Sequence, residues 1–196
     1  MVKDIAILDS VCKMVESFSN EYDKGILYSY AIIDGAKADT VWIDLEDGNL
    51  RYDTLFVEEK LKSALERVAP FFVELEFEND REAEDSIRLL KRCYGEGSML
   101  LIFSPLRFEE ALKIAREIFY LKDEEGNIEG VFRFYEPTIF HEVAKLPTKD
   151  ALKVIFKEDT IYMCEDFDKR YIVLYKEFEE EVVREIFDLK RGEESG

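Results

Sequence analysis

Two stretches of this chain are apolar at consecutive positions instead of alternate ones: ILYSYAIID (26–34) and SMLLIFS (98–104). Successive side chains of a strand point to opposite faces. A strand that is apolar on both parities therefore has to be covered on both sides. The second stretch is followed by Ser104-Pro105 and then by Phe108, Ala111, Leu112, Ala115, Ile118 and Phe119, which repeat with the 3.6-residue helical period over about 107–120. Buried strands next to one-sided helices predict a layered α/β or α+β fold: a mixed β-sheet with helices packed on it.

The remaining elements fit that frame. Ile5, Leu8, Val11, Cys12, Val15 and Phe18 form one stripe of a helix over 3–19. Asp34-Gly35 is a turn signal. Residues 36–57 carry little periodicity, with Trp42 read as the anchor of a short strand or loop. Residues 58–68 predict a helix that stops before Ala69-Pro70, because the residue preceding proline is pushed out of the helical region. FFVELEF (71–77) alternates as a half-exposed strand would, and 81–94 reads as a helix ended by GEG (95–97). VFRFYEP (131–137) reads as a strand halted by its proline. Two strand–helix–strand passages, 71–104 and 98–135, predict right-handed crossovers between parallel neighbours. Short helices are expected over 138–146 and 149–156, then an antiparallel hairpin (160–165 with 170–178), a closing helix over 179–189, and a fraying tail at 191–196. Residues 1–190 read as one domain.

The chain holds 27 basic and 45 acidic residues, a formal charge of −18. That balance argues against nucleic acid, whose phosphates are held by Lys and Arg, and against anionic membrane surfaces. Apolar residues at 47%, with 15 Phe and 10 Tyr, supply enough area to exclude disorder as the main state. Asp4 and Asp9 interrupt the first residues, so no signal-peptide core is read there, and the longest apolar run, Met99–Phe103, is far short of the roughly 20 residues that span a bilayer. A cytoplasmic protein is expected, with Cys12, Cys93 and Cys164 as reduced packing residues.

Catalytic motifs are sparse. None of the nine glycines opens a phosphate-binding loop, and no GxSxG elbow occurs. The single histidine, His141, rules out a His-rich metal centre and reads as a partly buried or surface residue. Asp34, at a strand end, is the best candidate for chemistry, because ligand crevices lie beside strand ends in open α/β sheets. It reads equally as a turn-forming Asp bonded to local backbone. Asp44, Glu46 and Asp47 stand near enough in sequence to collect a cation with Asp34, but their spacing matches no calcium loop. No metal or cofactor is assigned.

Five segments occur in an order that resembles one family. LYSYAIIDGA (27–36), YDTLF (52–56), APFFVEL (69–75), GSMLLIFSPLRFEEALKIAREIF (97–119) and DEEGNIEGVFRFYEPTIF (123–140) are similar to the type VI secretion effector adaptors, or chaperones of the Tap or Tec type, long catalogued only as a domain of unknown function. The likeness covers about 26–160. Glu136 stands where the family has Asp before the proline, Thr138 where an Arg often follows it, and Glu96 near a position commonly held by Trp. The resemblance implies a cytoplasmic adaptor without enzymatic activity, which binds a toxic effector and helps load it onto the VgrG spike. It singles out Asp34, Gly35, Arg133, Tyr135 and Pro137.

If Phe132 and Phe134 face the core of a strand, Arg133 and Tyr135 share the other face. A guanidinium there needs a partner, and Asp34, Glu136 or a helix C-terminal carbonyl would serve; the pairing with Asp34 is the one expected here, and a surface charge with its stem packed on the sheet is the other reading. Effector contact is expected at an apolar patch or groove, with Tyr22, Tyr28, Tyr30, Trp42, Phe56, Tyr120, Phe140 and Tyr162 as candidates, foremost Tyr30, Trp42, Phe56, Tyr120 and Phe140, although most of them read individually as core residues. Two other functions fit the residues: an immunity or antitoxin protein that occupies a toxin's basic site, and a metal-dependent hydrolase built on Asp34.

Overall fold

The computed structural model describes residues 9–14, 27–78, 80–145, 155–157, 159–166, 171–178 and 181–188. Residues 9–14 are helical (α1). Then follow β1 (Tyr28–Asp34), α2 (Val41–Asp47), β2 (Tyr52–Thr54), α3 (Glu59–Ala64), a 3-10 turn (Glu66–Val68), β3 (Pro70–Leu75), α4 (Asp80–Cys93), β4 (Met99–Ser104), α5 (Phe108–Phe119), β5 (Tyr120–Lys122), β6 (Ile128–Val131), α6 (Pro137–Val143), β7 (Ile161–Glu165), β8 (Tyr171–Phe178) and β9 (Glu181–Asp188).

The fold is α+β. Seven strands form one sheet in the order β2-β3-β1-β4-β7-β8-β9, and β5 pairs with β6 in a separate ribbon. The two strands that are apolar on both parities lie side by side at its centre, with Ala31 opposite Leu101 and Ile32 opposite Leu100. One face carries Ala31, Ile33, Phe71, Val73, Leu101, Met163 and Leu174 beneath α1, α2 and α4. The other carries Tyr30, Ile32, Phe72, Leu100, Ile102, Tyr162 and Val173 beneath α5 and α6. Covering both faces this way is what the uninterrupted apolar runs require.

Several expectations are corrected. Every hydrogen-bonded pair in the large sheet is antiparallel, so the parallel neighbours expected for 71–104 and 98–135 do not form. β3 and β4 do run in the same direction, but β1 lies between them and bonds to both, which splits the strand–helix–strand unit. The closing helix is a strand: β9 pairs with β8 along its whole length, from Tyr171 opposite Asp188 to Phe178 opposite Glu181. β3 is not half-exposed, because Phe72 is buried under α5 while Phe71, Val73 and Leu75 face the other layer. Only Val131 of VFRFYEP lies in a strand; 132–136 turn away so that neighbouring Phe134 and Tyr135 both join the same apolar layer, whereas successive side chains of a strand point to opposite faces. Trp42 sits in α2, in neither a strand nor a loop. Most of 149–156 and the tail lie outside the described residues.

Candidate functional site

β1 ends on Asp34, where the backbone turns sharply. The Asp34 N–H donates to the Ser98 carbonyl (2.8 Å), and its carbonyl accepts from the Lys37 and Ala38 amides (3.0 and 2.9 Å). One carboxylate oxygen accepts from the Ala36 amide at 3.1 Å, an Asx turn. Gly35 donates to the Ala69 carbonyl at 3.0 Å. A Cβ on Gly35 would sit 2.5 Å from that same oxygen and 2.8 Å from the Phe71 ring, so close approach of two backbones fixes the glycine.

The other Asp34 carboxylate oxygen accepts from Arg133. The pairing expected between residues ninety-nine positions apart is present, although Arg133 reaches it from a loop and not a strand. Asp34 is almost wholly buried, its side chain 3% exposed, whereas the Arg133 side chain is 41% exposed. The guanidinium also meets Glu136 through Nε at 2.7 Å and lies 5.9 Å from the centre of the Tyr135 ring. Glu136 in turn holds Lys37 at 2.7 Å, and Lys37 donates to the Gly97 carbonyl at 3.3 Å. Burial pushes the Tyr135 phenol up to about 12, with the nearby Asp34 charge adding to the shift. Pro137 is the first residue of α6, where its missing N–H costs nothing.

The line of polar contacts continues through residues that the sequence reading missed. Gly95 and Gly97, both with positive φ, aim their amides at the Glu165 carboxylate at 2.8 and 2.5 Å. This is an anion-binding nest filled from within. The Glu165 carbonyl accepts from His141 Nε2 at 3.1 Å, which leaves Nδ1 to accept from the Tyr175 hydroxyl at 2.5 Å. His141 is therefore a buried residue, 2% exposed, and not a surface one. Burial lowers its pKa, only partly offset by the Glu165 carbonyl and Asp166. The sequence signal for the nest is GEG itself: two glycines around one residue permit two left-handed turns in close succession.

The chain from Asp34 to Tyr175 ties together one end of β1, the 95–97 turn, the 133–136 loop, α6, β7 and β8. Each carboxylate in it is engaged by a donor or a cation, so the arrangement holds these segments together. The acids proposed to join Asp34 on a cation do not converge: Asp44 is paired with Arg92 and Arg88 between α2 and α4. Among the described residues no three His, Cys, Asp or Glu side chains form a metal-binding group. Cys12, Cys93 and Cys164 are buried and form no disulfide among the described residues, and burial pushes the Cys164 thiol far up.

The aromatic candidates for partner contact divide by burial. Tyr30 and Phe140 are completely buried, and Tyr120 nearly so. The Tyr30 hydroxyl donates to the Leu106 carbonyl (2.8 Å), Phe140 packs 4.9 Å from the Tyr162 ring, and the Tyr120 hydroxyl accepts from the Val57 amide (3.0 Å). These three are core residues, which corrects their candidacy as partner contacts. Trp42 and Phe56 are half-buried; Arg67 covers the Trp42 ring at 4.5 Å, and Phe56 meets Phe119 edge-on at 5.9 Å. Tyr22 lies outside the described residues. The large apolar side chains that do face water include Leu121, Ile128 and Val131 on the β5–β6 ribbon. Reading 131–137 as a strand conceals that ribbon.

None of the described helices is long and apolar enough to cross a membrane. A family model described as a domain of unknown function (DUF4123) matches residues 29–153. No curated protein and no solved structure matches the chain.

Proposed function

We propose that this chain, which belongs to the DUF4123 family, is a cytoplasmic adaptor that binds a type VI secretion effector and aids its loading onto the VgrG spike, acting by binding and not by catalysis. The observation that carries the reading is the meeting of Asp34 with Arg133. The FRFYEP segment is the most specific element of the resemblance to the adaptors, and it meets the DGA turn, another of the matching segments, through this ion pair. Two further features support it. The Asp34 carboxylate is committed to an internal ion pair, which leaves it unsuited to hold a catalytic cation. The strong negative charge suits a partner with a basic segment.

The test is co-expression with candidate toxins, each truncated in turn from each end. An adaptor binds an N-terminal or spike-proximal segment and leaves the toxic activity intact. Loss of toxicity through binding at the catalytic end would make the chain an immunity protein instead. Calorimetric binding of magnesium or manganese at Asp34, with turnover of a small substrate, would replace both with a hydrolase.

A further inference from the structure

The β5–β6 ribbon is built to be seen from outside. Among the described residues its strands pair only with each other, apart from the seven-stranded sheet. Its register sets Leu121 opposite Gly130, so no cross-strand side chain shields Leu121, which is 51% exposed. Ile128 and Val131 are 43% and 46% exposed. The tip is stiff: the Asp123 carboxylate accepts from the Glu125 and Asn127 amides (3.0 and 2.8 Å) and from the Asn127 side chain (2.9 Å). At the base, the Phe132 amide donates to the Phe119 carbonyl at 2.7 Å. Glu124, Glu125 and Glu129 are exposed and enter no ion pair among the described residues. A two-stranded ribbon has two edges with unused backbone donors and acceptors, and water-facing aliphatic side chains beside such an edge are normally shielded or used.

We propose that the β5–β6 ribbon is the effector-docking element, taking an extended effector segment as an added strand, with aliphatic residues against Leu121 or against Ile128 and Val131 and with Lys or Arg beside Glu124, Glu125 and Glu129. This rests on the adaptor reading above. Charge decides among occupants. A second copy would bring an equally acidic ribbon, and a nucleic acid or anionic lipid would bring phosphate; only a basic polypeptide is attracted. Main-chain bonds along the edge supply affinity, and the alternate side chains supply selection.

The experiment uses the full chain with fifteen-residue synthetic peptides that tile a toxin bound in the co-expression test, read by fluorescence anisotropy. The expected binding peptide alternates aliphatic and basic residues, and on binding it slows amide exchange at 120–122 and 128–131. Two exposed-site variants separate the contributions: Leu121→Ser with Ile128→Ser, and Glu124→Lys with Glu125→Lys. Each is expected to weaken binding about tenfold or more while leaving the thermal unfolding midpoint in place. Binding that both variants leave within about twofold of the parent, with exchange in the ribbon unchanged, overturns this assignment and leaves the adaptor reading standing. Failure of every candidate toxin to bind, as peptides or whole, overturns both.

Discussion

Asp34 and Arg133 differ sharply in exposure, and that asymmetry predicts which partner is costly to lose. Removing the guanidinium leaves a buried carboxylate with one backbone amide, the Ala36 N–H, as its donor. Arg133→Ala is expected to cost about 2 kcal/mol, below the range for a fully buried pair because Arg133 itself is partly solvated. Asp34→Asn keeps an oxygen for the Asx turn and is expected to cost less. Urea denaturation of the two variants checks both the size and the order. His141 gives a pH dependence whose sign follows from its lowered pKa. The unfolded histidine, near its ordinary value of about 6.5, takes a proton that the buried one resists. Stability is thus held above that value and lost as pH falls below it, down to the depressed folded pKa. His141→Gln is expected to flatten the decline in thermal midpoint between about pH 7.5 and 5.5. That window lies above the range where the ion-paired carboxylates Asp53 and Asp85, with lowered pKa values, take up protons.

At the scale of elements, what can be read in the sequence depends on how local the determining force is. α5 and β4 are legible because burial alone writes their patterns: a helical stripe, and an uninterrupted run. β9 is not, because EVVREIFD places Val182, Val183, Ile186 and Phe187 where a helix or a strand would both accept them, and pairing with β8 decides. The FRFYEP segment misleads for the opposite reason. Its aromatics imitate a strand, while Phe134 and Tyr135 are both drawn inward by α5 and α6. The Asp34–Arg133 tie is legible because opposite charges in two distinctive motifs need no knowledge of the path between them. The occupant of the 95–97 nest is not: GEG marks the turn, but a glutamate seventy residues away leaves no local trace of what fills it. Gly35 gives a prediction at this scale. Gly35→Ala forces apart the β1 turn and the start of β3, and is expected to cost about 1–3 kcal/mol by overpacking, visible as a lower urea midpoint without a change in slope.

Over the whole molecule, a charge of −18 creates a field that reaches beyond any one contact. Association with a basic effector segment is expected to be steered, so its on-rate falls as salt rises from about 0.05 to 0.5 M, where the screening length shrinks below the size of the ribbon. Stopped-flow mixing measures this, and an on-rate indifferent to salt removes steering from the account. The order of the sheet carries a further consequence for how the chain is made. β1, an inner strand buried along almost its whole length, leaves the ribosome before either of its partners, β3 and β4. A nascent chain halted before Met99 therefore holds an oily strand with an open side, and such fragments are expected to sediment as aggregates during synthesis.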